Sequence, residues 1–244
     1  AVRSTRHSPV RSTKAGAGMC CAMVTQARRA AAGNGCAARH IGRPGCPPPY
    51  CHTVQPRDYR LAAACGIAGP AAFVGAWVAG GLLRRPGYSP ISQAISQLAR
   101  SGTSTRPLMT TGFVAFGVLL PVYARGLGRA LGSPAVRAAA TVSGVATLAV
   151  AALPLSAAEG QRIDTWHAVA AGTGYLAQVL APLIGGRRLP SPLARQASYA
   201  VSAVAAAALV GSVALPDLTG LLQRTGLTVV DTWFVAMAVH LLRR

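Results

Sequence analysis

Three groups of residues in this 244-residue chain could do chemistry. The first is Asp164, His167, Ala171, Gly174 and Gln178, whose spacing of i, i+3, i+7, i+10 and i+14 puts them along one helical face. Ionisable groups on such a face are costly in an apolar medium, so the stripe belongs against a bundle interior or a wet cavity. Asp164, one turn before His167, is placed to orient the imidazole. At a helix start the same carboxylate would instead serve as a cap, and His167 would meet water or headgroups. The second is Asp231, which follows Leu227, Thr228, Val229 and Val230 and lies too deep in an apolar run to be a simple flank. Its candidate partners are Arg224, His167 and the arginines between residues 84 and 106; a structural Asp–Arg pair is the leading reading, with a proton- or ligand-handling role the alternative.

The third group is the segment Gly87-Tyr88-Ser89-Pro90-Ile91-Ser92-Gln93-Ala94-Ile95-Ser96-Gln97-Leu98-Ala99-Arg100. Ser89 as N-cap and Pro90 in the first turn predict a short helix. Ile91, Ala94, Ile95 and Leu98 then form one apolar stripe, with Ser92, Gln93, Ser96, Gln97 and Arg100 opposite. Such a helix lies in the membrane interface or folds down over whatever is beneath it. It either seals a rim or offers Ser92 and Ser96 to a polar site.

These groups need long helices to hold them. Runs of mostly apolar residues cover roughly 61–83, 107–127, 135–155, 165–184, 197–215 and 227–242. About 20 such residues are needed to cross the hydrocarbon layer. The last run is short and contains Asp231. Composition agrees: 52% of residues are hydrophobic, 12% charged and 5% aromatic. A soluble domain carries about 25% charged residues. The excess of Ala, Val, Leu and Gly suits helices that approach closely in lipid. The predicted fold class is therefore all-α, a polytopic bundle of six transmembrane helices plus a short amphipathic interfacial helix.

The net charge is +19, from 24 basic and 5 acidic residues, and Lys14 is the single lysine. Ten of the basic residues lie in the first 60 positions and the rest punctuate apolar runs. That distribution argues against a nucleic-acid-binding face, which needs a basic patch on a folded surface. Residues 1–60 lack a hydrophobic period and read as a disordered basic tail, distinct from a membrane domain over 61–244. No apolar stretch in the tail suits a signal peptide. Upstream sequence wrongly joined to the gene, with Met19 or Met23 nearer the true start, is one explanation of this tail. Cys20, Cys21, Cys36, Cys46 and Cys51 fall there with His40 and His52, but without the Cys-x2-Cys spacing of structural zinc sites. No metal and no cofactor is expected.

With six spans both termini share a side. Arg60, Arg125, Arg129, Arg137, Arg187, Arg188, Arg195, Arg243 and Arg244 then flank one face, whereas Arg84, Arg85, Arg100, Arg106, Arg162 and Arg224 flank the other. The positive-inside rule places both termini in the cytoplasm of a plasma-membrane protein. Glu159, Asp164, Asp217 and Asp231 all fall at or near the outer face.

The segment from Gly87 to Leu98, Pro107-Leu108-Met109 opening the second run, and Gly220-Leu221-Leu222-Gln223-Arg224-Thr225-Gly226-Leu227 with Asp231 and Trp233 together resemble the domain of unknown function 998 family. These are six-helix membrane proteins of bacteria, largely actinobacteria. The resemblance covers roughly residues 61–244, departs from the family at Gln97, where many members carry an acid, and implies the six-helix fold without an activity.

Three readings follow. In the first, an outward-facing cluster of Asp164, His167, Asp231, Ser92, Ser96 and Gln178 binds or transports a small polar or lipid-headgroup ligand. In the second, the chain is a structural or assembly partner, and Gly66, Gly69, Gly75 and the Ser198/Ser202 face serve helix contacts. In the third, a membrane-embedded hydrolase uses His167 as general base with Ser89, Ser92 or Ser96 nearby. No His-Glu-x-x-His, nucleophile elbow, phosphate-binding glycine loop or dinucleotide fingerprint is present to favour the third.

Overall fold

The computed structural model describes residues 56–84, 86–158 and 160–243. The tail, its cysteines and its histidines lie outside the described residues, apart from the turn of helix that begins at Pro56. The helical unit covers Thr53–Arg244. Six helices make it up: α1 (Pro56–Leu83), α2 (Arg106–Ala130), α3 (Pro134–Ala152), α4 (Arg162–Gly186), α5 (Pro192–Ala214) and α6 (Thr219–Leu242). Short 3-10 turns occupy Ile95–Ala99 and Pro216–Leu218. All six long helices are long and apolar enough to cross a membrane.

Each helix packs against the next in sequence, and α6 closes the ring against α1 while also touching α2 and α4. Consecutive helices run antiparallel. One end of the bundle therefore carries residues 84–105, 153–161 and 215–218, and is called the capped end below. The turns at the other end are tight for local reasons. Gly132 takes a left-handed φ of +57°, then Ser133 accepts a hydrogen bond from Val136 N–H (3.3 Å), with Pro134 in the first turn of α3. Ser191 and Pro192 start α5 in the same way, with Ala194 N–H donating to Ser191 Oγ at 3.4 Å.

The core between the helices is close-packed. Phe73 meets Phe113 and Phe116 at ring separations of 5.8 and 5.5 Å. The Tyr123 hydroxyl donates to the Phe234 carbonyl at 2.8 Å across the bundle. Gly66 lies under the Tyr123 ring, where a Cβ would stand 2.6 Å from Cδ2. Ser198 accepts from Trp233 Nε1 at 2.9 Å, and Ser202 donates to the Val179 carbonyl at 2.6 Å. Gly66 and both serines thus serve contacts inside one bundle, whereas Gly75 faces open space. Outward positions such as Val118, Val145, Val210 and Val213 are exposed and apolar, as lipid contact requires.

The segment after α1 departs from the predicted helix. Ser89 does start a turn, accepting from Ser92 N–H (3.4 Å) through its side chain and from Gln93 N–H (2.9 Å) through its carbonyl. Helical structure then resumes only at Ile95–Ala99, as a 3-10 turn. Tertiary partners have claimed the backbone groups that an α-helix would use. Arg224 donates to the carbonyls of Pro90 (2.8 Å) and Gln93 (3.0 Å), Gln223 Oε1 accepts from Ile95 N–H (2.8 Å), and the Ile91 carbonyl accepts from Leu221 N–H (2.8 Å). Half of the stripe still points inward: Ile95 and Leu98 are buried, while Ile91 is exposed. This segment crosses directly over the α6 backbone at Gly220, where any Cβ would overlap the Gln93 carbonyl and come within 2.6 Å of that of Pro90. The last helix is correspondingly longer than the apolar run from 227 indicates, because Gln223 and Arg224 lie inside it, with Gln223 Oε1 and the two terminal nitrogens of Arg224 hydrogen-bonded.

Candidate functional site

Beneath the 95–99 lid, between the helices at the capped end, lies a cavity with about 60 Å³ open to the centres of water molecules. A single water centre needs roughly 10–15 Å³ of such space, so the cavity holds a few waters or a small ligand. Ile95 and Ser96 of the lid, Phe73, Phe113 and Phe116, and Thr147 and Val150 of α3 form its walls. From α4 come His167, Ala170, Ala171, Gly174, Tyr175 and Gln178, and from α6 Gln223 and Leu227. Five helices and the lid contribute. No lining residue carries a carboxylate, guanidinium or ammonium group.

The α4 stripe reaches the cavity because its residues recur once per turn on the face that packs inward. Gly174 lets α3 come close, since a Cβ there would stand 3.2 Å from that of Ala146. His167 Nδ1 lies 2.6 Å from the Leu153 carbonyl. A carbonyl can only accept, so Nδ1 carries a proton, and in the neutral ring Nε2 is then an acceptor. That Nε2 is buried and has no partner among the described residues. The Tyr175 hydroxyl and Gln178 Oε1 are in the same condition. The Tyr175 hydroxyl reaches its position over Gly226, where a Cβ would overlap it. Leaving a buried polar atom unpaired costs about 1–3 kcal/mol, and here three such atoms belong to residues around one cavity.

The six residues singled out in the sequence separate. Ser96, His167 and Gln178 line this cavity together. Ser92 is exposed outside it. Asp164 caps rather than orients: its carboxylate accepts from Ser156 N–H and Ser156 Oγ, both at 2.8 Å, and from Gln161 N–H at 3.2 Å. The Leu153 carbonyl takes the orienting role on His167. Asp231 lines a different cavity, between α1 and α6, with Pro70, Val74, Thr228 and Thr232. The expected Asp–Arg pair does not form at Asp231 among the described residues. Both Asp231 carboxylate oxygens are buried without a hydrogen bond, and among the described residues no cation comes within 4.0 Å. The Asp231 and Arg224 side chains sit seven residues apart on α6, about 10 Å along the axis, and Arg224 is turned to the capped-end carbonyls instead. Among the described residues no serine hydroxyl bonds to His167 Nε2. Tyr175 and Gln223 are site residues that spacing did not reveal. Among the described residues no cluster of His, Cys, Asp or Glu could hold a metal ion.

Six helices long and apolar enough to cross a membrane, around a small and mostly apolar cavity, define a multi-pass membrane protein. The chain belongs to the family described as Protein of unknown function (DUF998), whose model matches residues 67–240. The matched stretch takes in the lid, all of α2 to α5 and most of α1 and α6. No curated protein and no solved structure matches the chain.

Proposed function

We propose that the chain is a membrane-embedded binding protein for a small uncharged molecule, held in the cavity under the 95–99 lid. The observation that supports this is the set of three buried polar atoms without partners, His167 Nε2, Tyr175 OH and Gln178 Oε1, on residues around one cavity. Two of them accept hydrogen bonds, so the ligand brings donors, either hydroxyl or amide N–H groups. The phenylalanine walls favour an apolar body behind those donors. A charged ligand is disfavoured, because nothing in the lining compensates its loss of hydration. A bound molecule can be released toward water at the capped end or toward the opposite face, and the same cavity serves binding or transport.

In this reading the protein sits in the plasma membrane, with the capped end outside and both termini in the cytoplasm. Arg60, Arg125, Arg129, Arg137, Arg187, Arg188, Arg195, Arg243 and Arg244 flank the opposite end, against six arginines at the capped end. Three at the capped end are engaged with backbone: Arg84 with the Gln97 carbonyl (2.8 Å), Arg100 with that of Ser156 (2.9 Å), and Arg224 with that of Pro90.

The test is thermal melting of the full chain in lipid nanodiscs with propylene glycol and propionamide, and with propionate as the charged counterpart. The uncharged probes raise the melting temperature and propionate does not. Gln178→Leu removes an unpaired acceptor, so without probe it melts higher, by a stability gain of about 1–3 kcal/mol. It no longer responds to the uncharged probes. Equal response to propionate, or an undiminished response in Gln178→Leu, would contradict the reading.

A further inference from the structure

A second site stands apart from the central cavity. Arg224 is 8% exposed, within α6, yet its charge meets no carboxylate among the described residues. Its Nη1 donates to the carbonyls of Pro90, Gln93 and Gly220, and its Nη2 to the Tyr88 hydroxyl. The guanidinium lies 5.3 Å from the Trp77 ring centre and 5.5 Å from that of Tyr88. Every one of these partners is neutral. A second guanidinium, Arg84, lies 5.8 Å from the Tyr88 ring centre. Among the described residues nothing compensates the positive charge of this corner, in surroundings where Coulombic attraction is stronger than in water.

Two donors there also lack acceptors. Arg224 Nε and Trp77 Nε1 are buried with no hydrogen-bond partner. Both residues line one cavity, with about 200 Å³ open to water centres, together with Gly81, Tyr88 and the α1 residues Val78 and Leu82. Val78 and Leu82 are 42% and 62% exposed on the outer surface of the bundle. The cavity thus joins a cationic, donor-bearing floor to an apolar flank at the capped end of the span. N–H donors and an unpaired guanidinium suit an anionic oxygen acceptor, and Arg geometry matches phosphate well.

We propose that this cavity binds an anionic phosphate group, with Arg224 supplying charge and Trp77 Nε1 a hydrogen bond. The phosphate belongs either to a lipid headgroup whose chains lie along Val78 and Leu82, or to a free phosphate ion. Neither the central cavity nor its ligand enters this inference.

The experiment uses the full chain in maltoside detergent, which contains no phosphate, and follows thermal stabilisation as phosphatidylglycerol, diacylglycerol or inorganic phosphate is titrated. Arg224 also holds the carbonyls of Pro90 and Gln93, so its replacement risks the fold. Two gentler variants keep those contacts. Trp77→Phe keeps the aromatic wall and removes the N–H, and Gly81→Leu fills the cavity, since a Cβ at Gly81 stands 3.7 Å from the Tyr88 ring. The expected result is that phosphatidylglycerol binds at least tenfold more tightly than diacylglycerol, which has the same tails. Trp77→Phe loses about tenfold, the value of one hydrogen bond to a charged group, and Gly81→Leu loses more. Stabilisation by inorganic phosphate that is lost in both variants, without preference for the lipid, supports the site and assigns it to the free ion. If diacylglycerol binds as well as phosphatidylglycerol while inorganic phosphate has no effect, or if phosphatidylglycerol or phosphate acts equally on the wild type and both variants, the proposal is overturned.

Discussion

At the scale of single residues, what matters is whether a buried polar atom has a partner. Arg224 and Asp231 share one helix and look from their sequence spacing like a charge pair, yet one is bound by carbonyls and the other by nothing. Burying a carboxyl group without hydrogen bonds destabilises a fold whatever the group does. Asp231→Leu is therefore expected to stabilise the protein by about 1–3 kcal/mol, read as a higher melting temperature in nanodiscs. A lower one would contradict the reading that Asp231 is buried without a partner. His167 and Gln178 were legible in the sequence because a polar residue once per turn in an apolar run has few reasons to exist. For Asp164 the sequence offered capping beside imidazole orientation, and Ser156 and Gln161 at its carboxylate select capping. Tyr175 gave no signal. An aromatic residue in an apolar helix is ordinary, and only Gly226, distant in sequence, reveals where its hydroxyl goes.

At the scale of elements, the lid is the part the sequence described least well. Its apolar stripe and N-cap are real features, and they predict a helix from Ser89. The structure holds the helical part to Ile95–Ala99, because side chains of α6 compete for the backbone. Those long-range bonds span more than a hundred residues and leave no local trace. The same bonds explain why α6 begins at Thr219, eight residues before its apolar run, since its polar first turns are satisfied by the lid. Gln223 accordingly holds the lid down over the cavity. Gln223→Leu removes the acceptor for Ile95 N–H and is expected to speed amide exchange at Ile95–Ala99 by at least tenfold, the loss of roughly one buried hydrogen bond. Exchange in α2 and α3 stays unchanged. Gln223→Glu retains an acceptor oxygen and retains protection. Equal protection in Gln223→Leu would show that the lid is held by its apolar contacts alone.

At the scale of the whole molecule, hydropathy and length made the six spans plain. The physical reason is that lipid allows no other arrangement for such runs. The path of the ring, with α6 closing against α1, was not readable from hydropathy, which says where helices are and not which faces meet. The proposed orientation rests on the arginine distribution and is open to direct measurement. In a cysteine-free background that retains activity for membrane insertion, Ser92→Cys is expected to react with a membrane-impermeant maleimide added to intact cells, and Arg188→Cys only after lysis. The reverse pattern would invert the topology and turn the lid toward the cytoplasm. The central claim, that His167 presents a free acceptor to a ligand cavity, has its most direct test in 15N NMR of the imidazole in the full chain, assigned by comparison with His167→Gln. The account predicts a protonated Nδ1 and an unprotonated Nε2 whose resonance moves when propionamide is added. A protonated Nε2, or a resonance indifferent to the probe, would contradict it.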